Sequence, residues 1–347
     1  MSEELTSAEA TSGRPLFLRA LRFALGRTSA WFSVWLMHAL LALAPALAYY
    51  AWFRDATAGR YEPGSLFANL DVTFRTDHGL ELAALDTANA RAGAVLAVLA
   101  MLVSAFCAGG WLQIFLEHGQ GRSLRRFFFG GARYFMRFVR VMLLTLAVLA
   151  FLGWAVYDLP WEKGVLEWAL GLPEAGRRDL SSLGSERDAV YLMWAQHGLF
   201  ALLFGLTLTW ADYVRTRLAL HDTSSALWAG VCTFFAMLAH PIRSLRPMLG
   251  LFLTELIVVA GAGLIAKSIE DEMIEHPELL GTLFLFLIAQ FVLIWRLIVR
   301  GARYHAAIEV SRDVVRPIAR PDPWKKSIGG PGGPRYPLGE DEYNTSI

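Results

Sequence analysis

Charge is scarce in this 347-residue chain: Asp, Glu, Lys and Arg make up 18% of it, against 55% hydrophobic residues, where a soluble domain carries about 25% charged residues. With a mean hydropathy of +0.40, much of the chain is expected to sit in lipid rather than water. Nor is there an excess of one sign. The formal net charge is +1, which gives no footprint for nucleic acid. Cysteine is nearly absent, with only Cys107 and Cys232 and no CxxC or Cys/His spacing, so neither a disulfide framework nor a zinc site is expected, and both read as free thiols. GxSxG, HExxH, Walker and dinucleotide-binding motifs are missing from any credible setting. The expectation is therefore a non-enzymatic protein with no cofactor and no metal. Residues 1–13 are polar and lack the basic, apolar and small-residue sections of a cleavable signal peptide, which predicts a retained, disordered N-terminus.

What the chain does have is long apolar runs. A bilayer core about 30 Å thick takes roughly 20 apolar residues in a helix, and six stretches meet that: 31–52, 92–116, 141–156 (extensible back to Phe138), 190–213, 248–266 and 279–299. Their ends are rich in Trp and Tyr, as interfacial belts require, and the runs are continuous rather than alternating, which selects helices over a barrel. The fold class read from this is all-α, a polytopic membrane helix bundle of six transmembrane helices with amphipathic interfacial helices.

Basic flanks set the orientation. Arg14, Arg19, Arg22 and Arg27 precede the first run; Arg122 through Arg140 separate runs two and three; Arg215, Arg217, Arg243 and Arg246 separate four and five; Arg296, Arg300 and Arg303 close the sixth. Six spans place all four regions on one side, the cytoplasm by the positive-inside rule, with both termini there. Five or seven would strand one of them outside. The outer connections, about 53–91 and 158–189, suit short helices but not an independent domain. After Arg303 the chain becomes rich in Pro and Gly, so residues 304–347 read as a mostly disordered tail and 14–303 as the membrane domain.

An internal pattern recurs. Trp111, Trp210 and Trp295 lie near the same ends of runs two, four and six, each with a polar residue close behind (Gln113, Asp212, Arg296), and Gly-Ala-Arg-Tyr occurs at 131–134 and 301–304. This suggests a threefold repeat of surface helix plus transmembrane hairpin, although interfacial Trp and Arg recur in any membrane protein.

Two constellations are candidates for function. In RSLRRFFFGGARYFMRFVR, at about 100° per residue, Arg122, Arg125, Arg126, Arg133, Arg137 and Arg140 share an arc of roughly 120° opposite Phe127, Phe128, Tyr134, Phe135 and Phe138. That pattern predicts a helix in the headgroup layer whose guanidinium groups meet anionic lipid phosphates, or more plainly a topology signal and anchor, with Gly130 and Gly131 as a kink or a close-contact site. A weaker copy opens at Pro15.

The second is a set of polar residues inside the spans, His38, Gln113, Asp212, Glu255, Gln290 and Arg296, which are expensive in lipid and functional by default. At about 1.5 Å per residue, His38 and Glu255 lie roughly 10 to 13 Å from the basic boundary, and Glu255–Arg296 and Asp212 with Arg215 or Arg296 are expected ion pairs. They form either a polar layer around a cytoplasm-facing cavity or a structural network. His38 and His197 differ in depth by roughly 10 Å, which does not suit paired axial haem ligation. The small residues Ala105, Gly109, Gly110 and Gly261, Ala262, Gly263 read as close helix packing.

GARYFMRFVR leading into a span, together with WADYVRTRLALHDTSSALWAG after the fourth, resembles uncharacterised bacterial multi-span inner-membrane proteins. Their layout is similar to that of the membrane domain accompanying some glycerophosphodiester phosphodiesterases. The resemblance implies a bacterial inner-membrane address but no catalytic residues, because the phosphodiesterase domain and its metal-binding acids are missing. The function expected is a lipid-interacting scaffold or subunit of a membrane assembly, with a small permease as the alternative. Membrane lipids with anionic headgroups, and other membrane proteins, are the expected partners.

Overall fold

The structure, a computed structural model, describes residues 15–58, 72–116, 123–171, 185–221, 225–275 and 279–314. The described residues are helical almost throughout, and six of the helices are long and apolar enough to cross a membrane. These spans are α2 (Thr28–Thr57), α4 (Gly79–Leu116), α5 (Ser123–Tyr157), α7 (Glu186–His221), α9 (Pro241–Glu275) and α10 (Leu279–Val314), and they are called spans one to six below. Shorter helices join them: α1 (Leu16–Leu25), α3 (Val72–Asp77), α6 (Leu159–Trp161) running into a π-helical segment Glu162–Ala169, and α8 (Ala226–Ala239).

The spans outrun the apolar stretches that announce them. At 30 to 38 residues they are about 45 to 57 Å long, well beyond a hydrocarbon core of about 30 Å. Most of the excess lies at the end carrying the basic flanks, called the basic end here. Buried residues gather there on every span: Ala30 and Val34, Ala105 through Phe115, Phe127 through Thr145, Thr207 through Ala219, Ser244 through Leu251, and Leu297 through Ser311. Toward the other end the large apolar side chains are exposed on all six, for example Leu40, Val95, Phe151, Trp194, Leu264 and Phe284, as a surface that meets acyl chains requires.

Spans two and three make the closest crossing. A Cβ on Gly109 would lie 2.6 Å from the Gly130 carbonyl oxygen, and one on Gly131 would lie 2.6 Å from the Phe106 ring. Lipid gives helices little hydrophobic reason to associate, so contact of this kind, backbone against backbone, supplies the attraction through van der Waals packing. The glycine pair at 130–131 therefore serves close contact and not a kink. The helix runs unbroken from Ser123 to Tyr157, so the arginine-rich segment forms the first turns of span three rather than a separate surface helix. Its aromatic side is partly internal: Phe127, Tyr134 and Phe138 are buried in protein, while Phe128 stays exposed. At Gly261 and Gly263, by contrast, an added Cβ meets nothing within 4 Å. Among the described residues the close packing expected there is not made: the two glycines point nearly opposite ways around the helix, and both face open space in the half of span five away from the basic end.

One further point corrects the sequence reading. Residues 304–314, expected as the start of the tail, continue span six, with Tyr304, Ala306, Ala307, Ile308 and Val310 in the core. The tail from 315 lies outside the described residues, as do residues 1–13. The connection between spans four and five, read as a cytoplasmic segment, contains the apolar helix α8. Ser225 caps it by accepting from the Trp228 amide, and Trp228, Phe235 and Leu238 are exposed. Its 14 residues are about 21 Å long, too short to cross. A separate short helix precedes the hairpin of spans one and two (α1) and that of spans five and six (α8), whereas before spans three and four the basic segment is the start of span three itself.

Candidate functional site

Span six organises the site. Arg296, Arg300 and Arg303 stand at i, i+4 and i+7, which brings them to one face of the helix, and that face looks into a cavity of about 830 Å³. Span one supplies His38; span four supplies Ala201, Leu202, Gly205 and Thr209; span five supplies Met248, Phe252, Glu255 and Val259; Leu293 and Leu297 complete the wall from span six. Apart from the three arginines, Glu255, His38 and Thr209, the lining is apolar or glycine. The volume falls in the range of about 300 to 1,000 Å³ usual for small-molecule sites.

The cavity owes its existence to how spans four and five are held. Each packs on span six, but they do not form a packed pair with each other. They meet at the basic end, where the buried Tyr213 hydroxyl donates to the Ser244 carbonyl at 2.8 Å, and the space between them is walled by Leu202 and Gly205 on one side and Leu249 and Leu256 on the other. Pro247 sits nearly two turns inside span five, close to that contact, and withholds a backbone donor from the helix there.

An ionic cluster closes the basic end. Asp212, 2% exposed, accepts from Arg215 at 3.0 Å through one carboxylate oxygen, and Arg303 Nε lies 3.3 Å from the other in an ion pair without hydrogen-bond alignment. Arg215 also reaches the Tyr304 hydroxyl at 3.5 Å, and the half-buried Arg300 stands near both Tyr304 and Asp212. The Arg303 guanidinium stacks over the Phe252 ring at 4.9 Å, a placement that favours a partly desolvated cation. Farther from the basic end, Arg296 Nε donates to Glu255 at 2.9 Å, tying spans five and six.

The six intramembrane residues expected to act together are distributed. His38, Glu255 and Arg296 line the one cavity, and Asp212 stands beside it through Arg303. His38 is tied to its own helix, Nδ1 to the Val34 carbonyl at 2.8 Å. Gln290 instead accepts from the Trp35 indole at 2.9 Å, between spans one and six, and Gln113 is buried at the crossing of spans two and three beside Gly130. Asp212 takes Arg215 and Arg303 as partners rather than Arg296. His197 is bonded to the Tyr157 hydroxyl at 3.0 Å, away from His38. Of the arginine-rich set, Arg125, Arg133 and Arg140 are exposed while Arg126 and Arg137 are half-buried on span three; Arg122 lies outside the described residues. Among the described residues no group of three His, Cys, Asp or Glu could hold a metal.

Two site residues that the linear reading passed over are Arg300 and Arg303, counted only as a topological flank. The signal was the spacing: a flank needs no periodicity, whereas i, i+4, i+7 stacks three cations on one helical face. Trp111 and Trp210 turn out to be packing residues, each seated on a glycine. Trp111 lies where a Cβ on Gly301 would meet it at 2.9 Å, and the Trp210 indole donates to the Gly230 carbonyl at 3.0 Å.

No protein-family model, curated protein or solved structure matches this chain.

Proposed function

We propose that this integral membrane protein is a lipid-interacting scaffold or assembly subunit of the bacterial inner membrane, with no chemistry of its own and with both termini in the cytoplasm. The observation that carries the reading is the cavity between spans four and five: its walls are mostly apolar, Glu255 and Arg296 there are paired with each other, and Arg300 and Arg303 stand toward its basic end. An amphiphile fits such a site, with its chain among Leu, Phe and Val side chains and its head at the arginines; a hydrophilic solute does not. The exposed arginines of span three, Arg125, Arg133 and Arg140, add attraction to an anionic surface, each contributing about 1 kcal/mol. The basic flanks support the orientation, and the resemblance to bacterial multi-span proteins supports the address.

The test is purification of the full chain in mild detergent followed by mass spectrometry of what accompanies it. Retained phospholipid at about one molecule per chain, together with co-purifying membrane proteins, supports the reading; a chain that comes away free of both ends it. The permease alternative draws on Glu255 and Arg296, which line the cavity as an interhelical pair. Solute flux into proteoliposomes that is abolished by Glu255→Gln would replace the scaffold with that alternative.

A further inference from the structure

Among the described residues at the cavity and its closed end, four guanidinium groups (Arg215, Arg296, Arg300 and Arg303) meet two carboxylates (Asp212 and Glu255). Glu255 is spoken for by Arg296, and Asp212 has both oxygens turned to Arg215 and Arg303. Two positive charges are therefore left over where solvent is restricted: the side chains of Arg215 and Arg303 are each 11% exposed, and Arg300 beside them is half-buried. Uncompensated charge at such depth is strongly unfavourable, and a guanidinium fork is suited to bidentate recognition of phosphate. From this we infer that the cavity is a binding site for one anionic phospholipid, its phosphate held by Arg300 and Arg303 and an acyl chain lying in the gap between spans four and five.

The inference rests on the lipid-interacting reading above and adds the charge class of the lipid and the residues that choose it. A free phosphate would answer the charge but leave the apolar wall unfilled. A zwitterionic lipid would fill the wall but leave the excess charge in place. An anionic phospholipid meets both conditions, and it can enter sideways, because spans four and five are joined at the basic end and not packed together beyond it.

The wall and the charges can be perturbed separately. Gly205 lines the cavity from span four, and a Cβ there would meet nothing within 4 Å, so Gly205→Phe fills the space without touching the ionic cluster. Arg300→Gln with Arg303→Gln removes the excess charge and leaves the wall intact. Full-length protein, stripped of lipid and then equilibrated with mixed micelles of equimolar phosphatidylglycerol and phosphatidylcholine, is re-isolated and its bound lipid counted by mass spectrometry.

The wild type is expected to hold phosphatidylglycerol in clear preference. Gly205→Phe should lose tightly held lipid of both kinds, and the double glutamine variant should hold lipid with the preference reduced about fivefold for each arginine removed. Undiminished preference in the double variant would overturn the assignment to Arg300 and Arg303 while leaving a lipid cavity standing. Undiminished binding by Gly205→Phe would overturn the cavity itself. Thermal unfolding of each variant identifies any loss caused by misfolding, and a single Arg303→Gln, which leaves Asp212 paired with Arg215, then decides the question.

Discussion

Replacing Asp212 by Asn tests the ionic cluster at its centre. The substitution keeps size and one carbonyl oxygen but removes the charge that faces Arg215 at 3.0 Å and Arg303 at 3.3 Å, and it turns an amide donor toward groups that are donors only. Arg215 and Arg303, each 11% exposed, would then be left beside the half-buried Arg300 with no carboxylate facing them. Breaking a buried pair from one side costs about 3 to 5 kcal/mol, which is roughly 10 °C in midpoint at about 2 to 4 °C per kcal/mol for domains of 150 to 250 residues. Thermal unfolding in mild detergent, followed by size-exclusion chromatography of the surviving fraction, reads this directly. Arg303→Gln supplies the comparison, since Asp212 keeps Arg215 and the loss should be smaller. If Asp212→Asn melts within 2 °C of wild type, or Arg303→Gln proves the worse of the two, the cluster is not held by its carboxylate and the charge accounting above is wrong.

Gly109→Val should cost about 2 to 3 kcal/mol in the same assay, because the new methyls meet the Gly130 backbone, whereas Gly263→Val, facing open space, should change stability by less than about 0.5 kcal/mol; equal effects would refute the crossing. A chain ended after Val314 should remain monodisperse in detergent, while one ended after Arg303 should aggregate for want of Tyr304, Ile308 and Val310 in the core, and a soluble, folded 303-residue chain would contradict the packing of span six. In thiol labelling of detergent-solubilised protein, the half-buried Cys232 should react at once and the buried Cys107 only after unfolding; early reaction at Cys107 would mean that the contact between spans one and two, where its thiol faces the Met37 sulfur at 3.8 Å, is open.

The six spans were legible because an apolar run of membrane length leaves a helix little choice: its backbone groups must pair within the segment. Close packing at Ala105, Gly109 and Gly110 was legible for a similar reason, since small residues in such a run let another helix approach. Nothing local, however, separates those glycines from Gly261 and Gly263, which carry the same composition where span five has no close neighbour. The difference lies in which helix stands opposite, and that is decided by tertiary structure.

The same limit governed the basic end. Position alone made Arg300 and Arg303 a flank and made 304–314 a tail, because a hydropathy reading ends a span where charge begins. Span six continues for another fifteen residues beyond the run, and there the buried Tyr304, Ala307, Ile308 and Ser311 alternate with Glu309 and Arg312, which are exposed enough to pair with each other at 3.5 Å. That is the period of an amphipathic helix docked on protein. Gln113 and Gln290 were correctly picked as polar residues in the spans, but depth alone says nothing about azimuth, and they face different neighbours.

The concentration of buried side chains at one end has a mechanical consequence. Six rods clamped together near one tip are stiff there and more compliant at the other, where among the described residues neighbouring rods are bridged by smaller contacts such as the Tyr49 hydroxyl on Asp86, the Gln196 amide on the Val156 carbonyl and Tyr157 against His197. A bilayer that thickens or thins exerts its load on the hydrocarbon-facing lengths. In this molecule that load would be met by spreading or gathering of the unclamped tips, with the clamped end scarcely deformed, so the space between spans four and five would change width with membrane thickness while its charged floor stayed in place.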